Sequence, residues 1–396
     1  MNKKNLIAAL FLYLISAGVS YAFFSFISTP PKSLESSTPA AQDGGLAIDP
    51  SAPRDQVCPL NGAMYTQTEK DAWEQRRPLL VMIENHQEAR PQSGLGSTDV
   101  VYETIAEGGI TRFMAVFYCN AIAKDVLVAP VRSARTYFLD WASEYSNYPL
   151  YAHVGGANCS EDAATGACKS DKRVQALEQI EKYGWGGRTG NDMNQFSIGY
   201  PTFYRDYNRL DHEVATEHTM VSSTEKLWAF AQTRGWTNLS PEGDDWTDTF
   251  TPWKFADDAN QADRGTVANV AFDFWDGFKQ YDVRWEYDPA TNSYKRYNGG
   301  EAHLDLNTNQ QLTTKNAVIQ FAKELGPVDE LKHMLYETTG KGDALVFQNG
   351  QVVEASWTKP KRTSRTIFTD KKGQEIKFVR GRIWIEIVAP GTKINY

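Results

Sequence analysis

The sequence predicts an α/β domain followed by a β-rich antiparallel domain, behind a single N-terminal transmembrane helix. Three observations lead to this architecture. Strand-like and helix-like segments alternate between residues 78 and 156, segments of alternating polarity dominate after residue 265, and an uncharged apolar run extends from Leu6 to Ile27. The chain has 396 residues, which is long enough for about two or three domains.

The N-terminal segment 1–28 is predicted to be an uncleaved signal-anchor in the plasma membrane. Its apolar run of 22 residues is long enough to cross a bilayer as a helix. Lys3 and Lys4 precede the run, so the positive-inside rule places the bulk of the chain on the extracytoplasmic side. The alternative is a signal peptide cleaved after Ala22, but the apolar run continues beyond that site. We therefore expect a single-pass membrane protein.

Residues 29–57 are predicted to be a disordered linker because they are rich in Pro, Ser and Ala and show no periodicity. Folded structure is expected to begin near Cys58. The linker would hold the α/β domain, residues 58–240, and the β-rich domain, residues 241–396, away from the membrane.

Four cysteines indicate two disulfides, since an even count in a chain outside the cytosol is typical of paired thiols. We favour Cys159–Cys168 across a short polar loop, which leaves Cys58–Cys119. The other two pairings stay open. A metal site at the cysteines is disfavoured because the sequence contains no CxxC motif.

The α/β domain is predicted from strands, a helix and a further strand in succession. The segments are the strands PLLVMIEN, DVVYETI, TRFMAVFYC and DVLVAPV, the helix SARTYFLDWASEYS and the strand YPLYAHVGG. Gly108 and Gly109 suit a turn between the second and third strands. The strand–helix–strand order predicts local parallel pairing. Two further helices, KRVQALEQIEKYG and SSTEKLWAFAQTRGW, flank a long irregular loop.

The β-rich domain is predicted from short segments that alternate apolar and polar residues, separated by turn residues such as Asn349-Gly350 and Lys371-Lys372-Gly373. Its aromatic residues are interpreted as core, with glycan stacking by a few exposed ones as the alternative. They are Trp285, Tyr287, Tyr294, Tyr297, Trp357 and Trp384.

The charge balance argues against nucleic acid as the main partner. The chain has 41 Lys plus Arg against 49 Asp plus Glu, a net charge of -8, whereas phosphate binding needs a strongly basic surface. A local basic pocket remains compatible with this composition. No cofactor is predicted.

The candidate site begins with Arg132, Ser133 and Arg135 at the start of a predicted helix. Cations are disfavoured at that end of a helix dipole, so the two arginines need a negative partner. Ser133 is expected to be the N-cap. Because a helix N-terminus binds anions, the partner is either a ligand carboxylate or phosphate, or internal glutamates. Both interpretations stay open.

The remaining ligand-binding candidates lie at the ends of neighbouring predicted strands, where ligands of open α/β sheets tend to bind. The glutamates among them are the possible internal partners of the arginines. These candidates are Glu84, His86, Glu103, Glu107, Arg112, His153, Gly155 and Gly156.

Histidines offer a weaker possibility. His86 follows a strand among carboxylates and suits a general base or a metal ligand, but a hydrogen-bonded loop is the simpler interpretation. His212 and His218, with Asp211, would bind zinc or calcium only if they met His86 and His153 in space. No spacing matches a metal motif, so no metal is predicted.

Several long segments are similar to the YerB-like family of bacterial envelope proteins with paired DUF3048 domains. In the first domain they are RPLLVMIENHQEARPQSGL, VYETIAEGGITRFMAVF, APVRSARTYFLDWASEY and YAHVGG; in the second they are VRWEYDPATNSYKRYNGGEAHLD, LTTKNAVIQF and GDALVFQNGQVVEASWTK. The resemblance covers most of residues 77–390. It implies a lipoprotein or membrane-anchored protein facing the outside of the cell, and it supplies no catalytic residue. This chain lacks the lipidated cysteine of the lipoprotein members.

We therefore expect a membrane-anchored extracytoplasmic protein of the cell envelope with a ligand-binding or scaffold role and an anion-preferring pocket. The alternative is a hydrolase acting on cell-wall or surface polymers, with His86, His153 and glutamates as acid and base. A pure scaffold would show an exposed apolar patch instead. The sequence leaves open whether the chain is an enzyme.

Overall fold

The computed structural model describes residues 45–159, 168–186, 190–240 and 242–396. The predicted anchor, residues 1–28, and residues 29–44 of the predicted linker lie outside the described residues. Within the described ranges, no helix has the length and apolar character needed to cross a membrane. Residues 45–57, assigned to the linker from the sequence, belong to the same compact unit as the remaining described chain. The N–H group of Leu46, for example, donates to the Ala123 carbonyl oxygen at 2.9 Å.

The α-helices of the described chain are all short. They are Gln67–Trp73, Thr136–Ala142, Ala176–Lys182, Gln195–Ile198 and Thr224–Thr233. The first and the last begin at capping residues that the sequence provides, since Thr66 and Ser223 accept hydrogen bonds from N–H groups of the first helical turn. Helices of this length have little stability of their own, so the sheets carry the fold.

The strands of the described chain extend over both predicted domains. In the first half they are β1 Gln56–Val57, β2 Met64–Tyr65, β3 Leu79–Glu84, β4 Val100–Glu107, β5 Ile110–Phe117, β6 Leu127–Val128, β7 Leu150–His153, β8 Asp192–Asn194, β9 Tyr204–Arg205 and β10 Met220–Ser223. In the second half they are β11 Lys254–Ala256, β12 Asn269–Phe272, β13 Val283–Asp288, β14 Ser293–Asn298, β15 Glu301–Ala302, β16 Leu304–Asp305, β17 Gln310–Gln311, β18 Thr313–Thr314, β19 Asn316–Phe321, β20 Glu324–Leu325, β21 Leu335–Tyr336, β22 Gly340–Gln348, β23 Gln351–Lys359, β24 Ile367–Asp370, β25 Lys377–Val379 and β26 Ile383–Val388.

One sheet of ten strands contains segments from both halves of the chain. Its order is β24–β23–β22–β19–β26–β4–β5–β3–β7–β8. The halves meet where β26 pairs with β4 in parallel, with Ile383 opposite Val100. The sheet therefore crosses the predicted boundary at residue 240.

The predicted α/β class is corrected to a β-rich fold with few helices. The expected parallel pairing is present, because β3 pairs with β7 in parallel. However, β5 pairs antiparallel with both β3 and β4. The second half is not purely antiparallel either, since β19 pairs with β26 in parallel. Local patterns identified these strands, whereas the class depends on partners that are distant in sequence.

Two predicted hairpin turns are confirmed. Gly108 and Gly109 connect β4 to β5 with φ angles of 56° and 84°, and Asn349 and Gly350 connect β22 to β23 with φ angles of 53° and 66°. Two-residue hairpin loops of this type need positive φ at both positions, which Gly and Asn adopt at low cost.

The aromatic residues of the second half are mainly core, as the sequence predicted. Tyr297 is half-buried beneath the guanidinium group of Arg284. The buried members of the set are Trp285, Tyr287, Tyr294, Trp357 and Trp384.

A buried ion-pair cluster joins the two halves. Arg296 on β14 hydrogen-bonds to Glu103 on β4 and lies 3.7 Å from Glu386 on β26, and all three side chains are 0% exposed. Burial, followed by the neighbouring charge of Glu103, raises the pKa of Glu386 and favours its neutral form. Glu103, a predicted site residue, is thus a structural partner of Arg296.

Candidate functional site

The predicted arginines and glutamates meet at the ends of β3 and β4. Glu84, the last residue of β3, has its Oε1 atom 3.0 Å from Nε of Arg132. Its Oε2 atom lies 2.7 Å from Nδ1 of His218. The Glu84 side chain is 4% exposed, so these two partners compensate a carboxylate that water barely reaches.

Glu107, the last residue of β4, pairs with the other two arginines. Its oxygens lie 2.7 Å from Nη2 of Arg112 and 2.7 Å from Nη2 of Arg135. Burial alone would raise the pKa of Glu107, but the charges of Arg112 and Arg135 outweigh burial and hold that pKa well below its usual range. For Arg132 and Arg135 the structure shows the internal pairing that the sequence left as one of two interpretations.

Ser133 does not cap a helix, contrary to the prediction. The helix begins at Thr136, Arg135 occupies the N-cap position, and no side chain caps it. Ser133 instead offers its carbonyl oxygen to Nη1 of Arg112 at 3.1 Å. Because the helix has only 7 residues, the helix-dipole argument for an anion site loses its force.

The glycines and His153 pack against the arginine segment. The carbonyl oxygen of Gly155 accepts from the N–H group of Ala134 at 3.0 Å, and Gly156 forms a β-bridge with Ala134. His153 is 0% exposed and contacts Asp192 through Nε2 and the Gly155 carbonyl through Nδ1. His153 and Gly155 are buried, whereas Gly156 is half-buried.

His86 lies in a more accessible position beside a second histidine. Its ring stacks on that of His218 with the centroids 4.8 Å apart. The carboxylate of Glu88 lies 3.7 Å from Nε2 of His218. His212, in contrast, pairs with Asp211 at the surface. Among the histidines considered as a possible cluster from the sequence, His86 and His218 are in contact.

A polar cleft of about 470 Å³ opens under the loop between β23 and β24. This volume lies within the range of small-molecule sites. The side chains of five residues on its wall form no hydrogen bond or ion pair with other described residues. They are Thr249, Thr251, Lys361, Thr363 and Ser364.

Positive charge accumulates at the floor of this cleft. Glu144 lies 3.3 Å from Lys359 and 3.3 Å from Arg365, and the three side chains are at most 1% exposed. With Lys361 on the wall, three cations face two carboxylates, Glu144 and the more distant Asp140, which leaves an excess of one positive charge. Arg365 lines the cleft and packs against Trp253, and its Nε and Nη2 atoms have no hydrogen-bonding partner among the described residues.

The cleft was missed at the sequence level although the sequence contains a signal for it. Residues 359–365, KPKRTSR, hold four cations in seven positions of a chain with a net charge of -8, and such runs are informative. At the opposite wall Ser146 has a φ angle of 126°. Non-glycine residues avoid this region, and such strain clusters at functional sites.

Both favoured disulfides are formed. The Cα atoms are 6.1 Å apart in Cys58–Cys119 and 5.2 Å apart in Cys159–Cys168. The first crosslink ties the start of the folded region to the segment that follows β5.

The fold and the sites together define a β-rich, disulfide-linked protein whose described residues form a ten-stranded mixed sheet and several smaller sheets. Residues 65–237 match the N-terminal domain, and residues 271–385 the C-terminal domain, of the family described as "Protein of unknown function (DUF3048)". The chain belongs to this YerB-like family with paired DUF3048 domains.

Known relatives agree with this assignment. The chain is 29% identical to "Putative lipoprotein YerB" of Bacillus subtilis (strain 168) over 342 residues, which cover 86% of this chain and 88% of the relative. The crystal structure of the YerB protein from Bacillus subtilis matches with a TM-score of 0.66 and 25% identity, covering 86% of this chain and 100% of that chain. The family resemblance predicted from the sequence is confirmed.

Proposed function

We propose that the chain is a membrane-anchored binding protein of the cell envelope that takes an anionic, hydroxyl-bearing ligand in the cleft under the β23–β24 loop. The observation that carries this proposal is the excess of positive charge at the cleft. Lys361 and Arg365 line the cleft and Lys359 lies behind it, whereas the carboxylates that face these cations are Glu144 and the more distant Asp140. Lys361 would donate a charge-assisted hydrogen bond to a phosphate or carboxylate, and the buried charges of Arg365 and Lys359 would add to the positive potential.

This cleft replaces the anion-preferring pocket expected at Arg132 and Arg135. Those guanidinium groups already have glutamate partners at 3.0 Å and 2.7 Å. Lys361 has no such partner among the described residues, and the neighbouring threonine and serine hydroxyl groups are free to bond the hydroxyl groups of a sugar. A phosphorylated or carboxylated glycan fits this combination.

The extracytoplasmic, single-pass location belongs to the same proposal. The relative is named a lipoprotein, and this chain has an apolar N-terminal run preceded by lysines. Two disulfides suit an oxidising compartment. Since the first cysteine is Cys58, anchoring through the N-terminal segment fits better than lipidation.

The test is a binding measurement on the whole protein by calorimetry and thermal shift. The probes are inorganic phosphate, a hexose phosphate and the uncharged parent hexose. The hexose phosphate should bind best, and at about one hundred times its dissociation constant it should stabilise the fold by about 2.7 kcal/mol. Lys361→Ala should weaken this binding about tenfold, since it removes one charge-assisted bond.

Lys372→Ala is the matched control, because Lys372 is also exposed but lies on the turn after β24 and outside the cleft. It should bind the hexose phosphate as the wild type does. Equal binding of charged and uncharged hexose, or an unchanged affinity in Lys361→Ala, would contradict the proposal.

A scaffold role is the second candidate, favoured by an exposed aromatic segment. Phe196, Tyr200 and Tyr207 are 74%, 84% and 57% exposed. A scaffold should lose co-purification with its envelope partner in the double variant Phe196→Ser and Tyr200→Ser, and should keep it in Lys361→Ala.

The hydrolase alternative loses two of the groups first considered. His153 and Glu103 are 0% exposed and hydrogen-bonded inside the fold, where a polymer would not reach them.

A further inference from the structure

The accessible histidine pair and a nearby glutamate converge on one small space. His86 precedes the 3₁₀ turn Gln87–Ala89, which contains Glu88, and His218 ends the turn Thr216–His218. One possible ligand atom from each of the three side chains lies within 4.8 Å of the others. His218 is 5% exposed at the side chain, whereas Glu88 is 58% exposed, so the space is walled on one side and open on the other.

The orientation of His218 is fixed by a carboxylate behind it. Its Nδ1 atom lies 2.7 Å from Oε2 of Glu84. Because a carboxylate accepts, Nδ1 carries the proton, and in the neutral ring Nε2 has its lone pair on the side where Glu88 lies. Glu84 is held in turn by Arg132 at 3.0 Å. Histidines that bind metals commonly donate their second N–H group to a carboxylate in this way.

The two turns are also tied to each other. Arg209 donates from Nη2 to the carbonyl oxygen of Ala89 and from Nη1 to that of Pro91, both at 2.7 Å. This anchors the loop that bears His86 and Glu88 to the segment that leads to His218. Little ordering would be needed on binding, which favours affinity.

We propose that His86, Glu88 and His218 bind one divalent transition-metal ion of the zinc class, with water completing the coordination. Two imidazoles and a carboxylate are a donor set for zinc, whereas calcium and magnesium prefer oxygen ligands alone. Zinc–ligand bonds of about 2.0–2.2 Å place the donor atoms about 3.4 Å apart. Oε2 of Glu88 and Nε2 of His218 are already 3.7 Å apart. The widest separation in the set is within 4.8 Å, so the donor atoms need to approach by at most about 1.4 Å. The site shares no residue with the cleft, and it replaces the expectation that no metal binds.

The experiment is equilibrium dialysis of the full-length, tag-free protein against zinc alone, after treatment with a chelator. The wild type should take up one zinc ion per chain, and cobalt at the same site should give a visible absorption band. His86→Ala should abolish stoichiometric uptake. Glu88→Gln, which changes an exposed side chain and leaves the fold intact, should weaken binding at least tenfold.

His212→Ala is the matched control, because His212 is a surface histidine beside a carboxylate, Asp211, in the same loop. It should bind zinc as the wild type does. The proposal is overturned if the wild type takes up no zinc at micromolar free concentration, if His86→Ala and Glu88→Gln bind as tightly as the wild type, or if His212→Ala loses the ion.

Discussion

Glu107 makes two buried arginines compatible with a folded interior. Arg112 and Arg135 have side chains that are 2% and 7% exposed, and each lies 2.7 Å from a different oxygen of this carboxylate. A desolvated guanidinium group without a counter-charge is strongly unfavourable. Glu107 at the end of β4 therefore has a structural role, which the charged residues in the sequence do not by themselves indicate.

Glu107→Gln should destabilise the fold by about 3 kcal/mol, the lower end of the range for breaking a buried pair, because Glu107 itself is 23% exposed. Urea unfolding of the two proteins at neutral pH measures the difference. Glu301→Gln, an exposed residue on β15, is the control and should change stability by less than about 0.5 kcal/mol. Similar stability of both variants would show that the arginines do not depend on Glu107.

The ion pairs of Glu107 also make the stability of the fold depend on pH, and the direction of that dependence can be predicted. The pKa of Glu107 is lower in the folded chain than in the unfolded chain, so its contribution is complete above the unfolded value of about 4.3 and is lost as the pH falls toward the folded value. The stability gap between wild type and Glu107→Gln should be constant above about pH 5 and should narrow below about pH 4. A gap that widens in acid would contradict this assignment.

Among the site residues, sequence reasoning identified the charged groups but not their pairing. The need of Arg132 and Arg135 for negative partners followed from the sequence, and Glu84 and Glu107 were among the candidates. Arg112 was also among the candidate site residues. Glu103, another candidate, pairs with Arg296, which is 193 positions away in the sequence. Local patterns contain no information on such distant partners.

At the scale of the element, the β4–β5 hairpin depends on its two glycines. Gly109 has a φ angle of 84°, and a Cβ atom there would lie 2.5 Å from the ring of Phe278. The turn thus needs glycine both for its backbone conformation and for the close approach of another segment.

Gly109→Ala should be more destabilising than Gly184→Ala. Gly184 also has positive φ, 74°, but a Cβ atom there would meet nothing within 4 Å. Gly184→Ala should cost about 1 kcal/mol from the backbone alone, and Gly109→Ala about 1–3 kcal/mol more from overpacking. Thermal unfolding compares the two variants. Equal melting temperatures would mean that the Phe278 ring moves aside with no loss in the free energy of unfolding.

Hairpin turns were the elements most accessible from the sequence, because their chemistry is local, whereas the N-cap predicted at Ser133 is not formed. The Asn349-Gly350 turn and the helix beginning after Ser223 are confirmed. The segment DVLVAPV, predicted as a strand, pairs as β6 only over Leu127–Val128. Its apolar character reflects burial, which an irregular segment shares with a strand.

At the scale of the whole molecule, the predicted two-domain division is not a division of the sheet. Strands β19 and β26 of the second half separate β22 from β4 of the first half, and Arg296 neutralises Glu103 across the boundary. The family domains at residues 65–237 and 271–385 thus describe sequence segments that fold together.

Residues 45–240 expressed alone should not fold cooperatively, because the β4 edge and the Glu103 carboxylate would lose their partners. Residues 45–396 should unfold in one transition with coincident fluorescence and circular dichroism curves. A folded fragment 45–240 with its own cooperative transition would show that the halves are independent.

Strand β26, which occupies the middle of the sheet, is the last strand of the described chain and ends at Val388. A growing chain therefore completes this sheet only after every other described strand has been synthesised. Until then β4 presents a bare edge, to which other chains can add. If the chain is exported as proposed, it crosses the membrane before this edge is covered. The chaperones that bind it during export would then determine the yield of native protein.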